Sequence, residues 1–334
     1  MSWQVRLLIV PFAGVFALLP PVMVQGQTQE TQETPARSEG HTVRRLAPGV
    51  LRVIPPEPNE EETFRGPITL DPLTHLTWTP NEAAETRTLA QKASSVILRH
   101  NVWNLEFSFK PLRMVHVDVP QPSGRMQRKL VWYMVYRVRN LGEHLTPVPI
   151  EDEYQNTTYG TRRADEVLNV GAAQPEAAVR FFPHFVLETR REQKAYLDRI
   201  IPVAMPVIEA REMNGGQLYN SVQISQVPIP VGREESDGLW GVAMWKDVDP
   251  RVDFFSILVQ GLTNAYRTAT TSDGATVHRL KTLQMNFWRP GDTHNEHEKQ
   301  IRYGIPAVAN QEEQQHILSQ YGVTQRLDHL WVYR

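Results

Sequence analysis

Apolar and polar residues alternate most clearly between Trp103 and Tyr136. Trp103, Leu105, Phe107 and Phe109 alternate with Asn104, Glu106, Ser108 and Lys110, and beyond Pro111 the same parity resumes in Val115, Val117 and Val119, opposite His116 and Asp118. A period of two is the signature of a strand with one buried face, so this stretch predicts a half-buried strand kinked at the proline. Pro120-Gln121-Pro122-Ser123-Gly124 reads as a turn, and Leu130 to Tyr136 is apolar on both parities, as for a strand covered on both faces. The two segments predict an antiparallel pair.

Further strands are expected over Val179 to Glu188, Leu218 to Val227, Leu239 to Trp245, Phe254 to Thr263, Leu280 to Trp288 and Leu330 to Tyr333. Breakers lie between most of them, among them Gly215-Gly216, Asp249-Pro250, Ser272-Asp273-Gly274 and Pro290-Gly291. Helical spacing is confined to residues 82–97, Arg190 to Arg199, Met205 to Met213 and Gln311 to Gln320. Strands do not alternate regularly with helices, which disfavours a parallel doubly wound sheet. The fold class read from the chain is therefore mainly β: an antiparallel β-sandwich, Ig-like in the broad sense, with a few helical insertions. No internal repeat is visible outside the polar segment near the N-terminus.

The N-terminal pattern is different. Arg6 precedes an apolar run from Leu7 to Val24, and Val24-Gln25-Gly26 suits a signal peptidase, so residues 1–26 read as an export leader cleaved before Gln27. Retention as a membrane anchor is the alternative, against which stand Pro11, Pro20 and Pro21. Residues 27–64, opening on Gln27-Thr28-Gln29-Glu30-Thr31-Gln32-Glu33-Thr34, have the Gln, Glu, Thr and Pro content of a solvated tether. Within it, Gly49 to Ile54 is an apolar island able to dock as an edge strand, ended by Pro55-Pro56. A single globular domain is expected over residues 65–334.

Composition narrows the function classes. With 35 Lys+Arg against 37 Asp+Glu there is no general attraction to nucleic acid or anionic lipid, and the 41% hydrophobic content suffices for a substantial core. Having no cysteine, the chain forms no disulfide, thiolate zinc site, iron–sulfur cluster or cysteine nucleophile.

Candidate chemistry is sparse. Asp292, His294, Glu296, His297 and Glu298 form the densest set of metal-ligating types, in a loop after the strand ending at Trp288. The helical zinc-protease motif fails there, because Lys299, Gln300 and Ile301 follow His297-Glu298 where a second histidine is required. A second acidic group, Asp247, Asp249 and Asp253, lacks the glycine and distal glutamate of a calcium loop, and Glu151-Asp152-Glu153 reads as a hydrated turn. There is no Gly-x-Ser-x-Gly, phosphate loop or dinucleotide fingerprint, though a Ser, His and Asp assembled only by folding would leave no such trace. Of the tryptophans, Trp103 is assigned to the core by parity, and Trp240 and Trp245 to opposite faces of one strand.

Three stretches, Asn101 to Phe107, Arg128 to Asn140 and Asp249 to Phe255, resemble a group of exported bacterial proteins of the planctomycete type to which no role is assigned. The resemblance implies export and carries no catalytic residues. Together these readings predict an exported, non-catalytic module without cofactor that works in envelope structure or in binding a protein or glycan of the cell envelope. They predict no nucleic-acid partner, and membrane contact only through a retained leader. The alternatives are a metal-assisted hydrolase using the His294/His297 loop and a membrane-anchored subunit of an envelope complex.

Overall fold

The computed structural model describes residues 51–63, 100–151, 153, 157–163, 179–213, 215–234, 236–249, 251–291 and 301–334. The leader, most of the tether, the helix expected over 82–97 and the loop carrying His294 and His297 lie outside them. The described residues belong to one compact unit, Arg44–Arg334. In chain order its strands are β1 (Arg52–Ile54), β2 (Glu106–Phe109), β3 (Arg113–Pro120), β4 (Met126–Arg139), β5 (Leu145–Glu151), β6 (Thr157–Arg163), β7 (Val179–Arg180), β8 (His184–Thr189), β9 (Lys194–Leu197), β10 (Pro228–Ile229), β11 (Leu239–Lys246), β12 (Phe254–Gln260), β13 (Tyr266–Thr270), β14 (Thr276–Trp288), β15 (Arg302–Tyr303) and β16 (His329–Tyr333). The helices are α1 (Met205–Glu212), α2 (Ser221–Gln226) and α3 (Gln311–Tyr321).

Two antiparallel sheets carry the fold, as the alternation of the sequence predicts. In the first the order is β1-β2-β4-β11, with β3 also on β4; in the second it is β13-β14-β12-β8-β9, with β15 and β16 on β14. The apolar island before Pro55 is the edge strand β1, paired with β2. Each sheet is built on one long strand, β4 or β14, entered through the same turn. Gly124 and Gly274 donate back to Gln121 and Thr271 with φ of 78° and 84°, a left-handed conformation that glycine adopts without strain.

The sheets face each other through one core. Phe107, Phe109, Trp132, Met134, Tyr136 and Trp245 of the first meet Phe185, Leu187, Phe255, Ile257, Leu283 and Phe287 of the second, and all are buried. Rings interlock across the gap, with centroids 4.8 Å apart for Tyr136 and Phe185 and 5.5 Å for Trp132 and Phe255.

The parity of the kinked strand departs from the sequence reading. Phe109 pairs with Tyr136 and Arg113 with Tyr133, so three residues, 110–112, oppose two, 134–135. This is a β-bulge, and one extra residue sends every later side chain to the other face. Leu112 and Met114 consequently join Phe107 and Phe109 in the inter-sheet core, whereas Val115 and Val117 face outward. There they pack with Val131, Tyr133, Val135, Val242 and Met244 beneath Ile201, Ala204 and Ile208 of the α1 region. The double-sided apolarity of β4 thus has two causes, a facing sheet and a helix.

Three other expectations are corrected. Arg190 to Arg199 is a turn with left-handed Gln193 followed by β9, because pairing with β8 outweighs the helix propensity of the charged run. Leu218 to Val227 contains α2 instead of a strand: the Asn220 side chain accepts from Val222 and Gln223 backbone N–H groups, and the Gln223 side chain accepts from Asn220 N in return. The Pro-rich segment after Asn140, for which the sequence predicts no strand, forms the β5–β6 hairpin.

The outer face of the second sheet is polar but sealed. Ser256 donates to Asn286 Oδ1 at 2.9 Å, Gln284 donates to the same oxygen at 3.0 Å and to the Tyr321 carbonyl at 3.0 Å, and Asn286 donates to the Leu327 carbonyl at 2.8 Å. The α3 helix closes over this layer, its Tyr321 hydroxyl donating to the Phe287 carbonyl at 2.9 Å.

Candidate functional site

The sequence-derived candidates divide into those outside the described residues and those that folding disperses. Asp292, His294, Glu296, His297 and Glu298 are outside them. Among the described residues no three His, Asp or Glu side chains converge as metal ligands. Asp247 is 2.7 Å from Lys129 Nζ, while Asp249 is 2.9 Å from Lys194 and 3.2 Å from Arg251. Hydrogen bonds from Arg251 and Lys194 hold the Asp249 carboxyl far below the usual carboxylate range. These acids anchor loops through cations and do not gather around a calcium ion. Glu151 and Glu153 are exposed.

Folding does bring a Ser, an Asp and a His near one another. The Ser221 hydroxyl donates directly to Asp198, which also accepts from Met244 N at 2.7 Å, and His184 is close enough to favour the Asp198 carboxylate. A nucleophilic relay needs imidazole between hydroxyl and carboxylate. Here the carboxylate bonds the hydroxyl itself, and its role is to tie the first turn of α2 to β11.

A second buried cluster lies where the β2–β3 bulge meets the end of α1. The Glu212 carboxylate accepts from Arg113 and, at 2.8 Å, from the Tyr133 hydroxyl, while Lys110 donates to the Glu212 carbonyl. Burial raises the Tyr133 pKa and keeps its hydroxyl a donor to the carboxylate, while for Lys110 burial lowers the pKa against the opposing pull of Glu212. Lys110 and Arg137 approach the Trp240 ring at 5.3 Å and 5.5 Å, which places that indole on the outer face as parity predicts. Trp245 is in the inter-sheet core, and Trp103 packs against it partly buried.

The open cleft lies where the inter-sheet core ends on the second sheet. In the β14–β16 ladder Leu283 pairs with Trp331 and Lys281 with Tyr333, so all four side chains share the core-facing side. Leu283 is still apolar core; one step further the floor becomes Lys281 and Tyr333, with Arg267 of β13 beside them. Residues 57–62, just after β1 and ending in a 3-10 turn, form the opposite wall of a cleft of about 650 Å³.

Glu62 links the two walls. Its Oε1 accepts from Lys281 Nζ at 2.6 Å and from the Tyr333 hydroxyl at 2.5 Å, and its Oε2 accepts from Asn59 N at 3.2 Å. The ion pair is almost completely shielded, with side-chain exposures of 5% for Lys281 and 2% for Glu62. Such a pair is tolerable only because its remaining valences are met, Lys281 donating also to the Glu57 carbonyl. Burial, reinforced by the hydrogen bond to Glu62, pushes the Tyr333 hydroxyl far above its ordinary pKa and keeps it a donor. Both aromatic rings carry a cation, Arg267 at 4.1 Å from Tyr333 and Lys281 at 5.3 Å from Trp331. Glu57, Glu60 and Glu61 are exposed at the lip.

This arrangement offers aromatic surface, hydrogen-bond donors and charge in a concave site, and its buried carboxylate is already engaged. Sequence reading missed it because its parts lie more than two hundred residues apart, and the acidic run at 57–62 is indistinguishable from ordinary tether. No family model, curated protein or solved structure matches the chain.

Proposed function

We propose that the chain is an exported, non-catalytic β-sandwich module that binds a protein or glycan of the cell envelope in the cleft between residues 57–62 and strands β14 and β16. The observation that carries this reading is the cleft itself, where Trp331, Tyr333, Arg267 and Lys281 face one concavity at the end of a rigid sheet. Concave sites with a few converging polar groups beside aromatic surface are the usual form of ligand pockets. The engagement of Glu62 by Lys281 and Tyr333 supports binding over proton transfer, since a general base must be available to its substrate. The apolar run at 7–24 and the polar tract that follows support export.

The test is to apply the full-length protein to arrays of envelope glycans and of peptides beside its Arg267→Ala variant, which alters the cleft at an exposed position. Retention of a ligand by the parent and its loss from the variant is the expected result. Equal retention by both removes the cleft as the binding site. Metal analysis of the same preparation covers the hydrolase alternative: stoichiometric zinc or manganese that disappears on His294→Ala and His297→Ala substitution would replace the binding reading with a metal-assisted one.

A further inference from the structure

Resting on the reading of this cleft as a binding site, we propose that residues 57–62 are a built-in occupant of a carboxylate-binding site on the second sheet, and that the external ligand is an acidic peptide segment that displaces them. The receiving side is fixed: Lys281 and Tyr333 are register partners on adjacent strands and aim two donors at one oxygen. The occupant is not part of either sheet. It spans the interval between β1, held by pairing to β2, and Thr63, whose carbonyl accepts from His100 N at 2.9 Å. Between these anchors Lys281 takes both the Glu57 carbonyl and the Glu62 carboxylate, so release from one side chain frees the loop at two points.

The same pair of acceptors identifies the ligand. A main-chain carbonyl together with a carboxylate on a short flexible stem is peptide chemistry, whereas a uronic acid presents its carboxylate on a ring without that carbonyl. The loop is itself an acidic, proline-flanked peptide, with Glu57, Glu60 and Glu61 exposed along its outer side. A site that accepts this sequence from its own chain accepts a similar one from another. A buried ion pair contributes little net stability compared with apolar packing and is best attested as a device for register or switching. Tethering gives the internal loop an effective concentration on the order of millimolar, so a free peptide competes poorly until the loop is weakened.

The probe is a fluorescent peptide of the sequence Pro55 to Thr63, titrated against the full-length parent, Glu62→Ala and Glu62→Ala/Lys281→Met. Glu62→Ala is expected to bind it roughly tenfold or more tighter than the parent, and the added Lys281→Met to abolish the gain. Equal affinities for parent and Glu62→Ala, with both melting cooperatively, overturn the proposal, as does preference for oligogalacturonate over the peptide. If Glu62→Ala does not melt cooperatively, hydrogen exchange on the parent decides: residues 57–62 must lose protection under saturating peptide, and unchanged protection overturns displacement. An array ligand captured while 57–62 stays protected sinks this inference and leaves the binding-module reading standing. Displacement by the peptide with no loss of array ligand in Arg267→Ala does the reverse.

Discussion

Asp198 shows how a single residue sets a pH dependence. Burial raises its carboxyl pKa against the opposing pull of hydrogen bonds from Met244 N and Ser221 and of nearby His184. A carboxyl with a raised folded pKa favours the protonated form in the native state, so its penalty is absent below the unfolded value, grows as pH rises above it and is complete above the folded one. Asp198→Asn keeps an acceptor for Met244 N and removes that charge. Its melting temperature relative to the parent is therefore expected to improve as pH rises from the ordinary carboxylate pKa of about 4 and then to level off, and thermal melts from acid to neutral pH check it; a flat difference would mean that the carboxylate is not penalised. Glu62 differs in its surroundings, a lysine, a tyrosine and a backbone N–H all donating to its carboxylate. Neither role was legible in the sequence, where Glu62 ends an acidic run and Asp198 stands between Leu197 and Arg199. What distinguishes them is the set of donors that distant strands deliver.

At the scale of elements, alternation located strands well and assigned faces correctly only up to the first irregularity. The strands β11, β12, β14 and β16 lie where apolar patterning predicts them, and α1 and α3 where helical spacing does. The bulge at Lys110–Leu112 defeated the parity of β3, because alternation on both sides of a one-residue insertion looks continuous in sequence. Deleting Pro111 would restore an unbulged register and turn Val115 and Val117 away from α1. The expected outcome is loss of the cooperative transition in urea, and a variant that unfolds like the parent would show that the bulge does not set these faces. The α2 helix is a local matter that the sequence did contain, in Asn220 and Gln223 at the capping-box spacing. Asn220→Ala removes the cap and is expected to cost about 1 kcal/mol in equilibrium urea unfolding.

For the whole molecule, the decisive feature is one aromatic core shared by both sheets. Phe185 touches Phe107, Tyr136 and Phe181, so it couples β8 of the second sheet to β2 and β4 of the first. Phe185→Ala is expected to cost about 3–5 kcal/mol and to lower the stability of both sheets in a single transition, read by fluorescence and circular dichroism together. Separate transitions would mean that the sheets are independent. Without disulfides, this packing and the sealed polar layer under α3 hold the described fold. The sequence by itself determined the fold class, the major strands, two helices and the docking of the island before Pro55, because these follow from periodicity and breakers read over a few residues. Which face Val115 and Val117 occupy, and the meeting of Glu62 with Lys281 and Tyr333, were decided only by tertiary structure. Strand register converts one inserted residue into a change of face, and it brings together side chains separated by hundreds of positions that no local pattern connects.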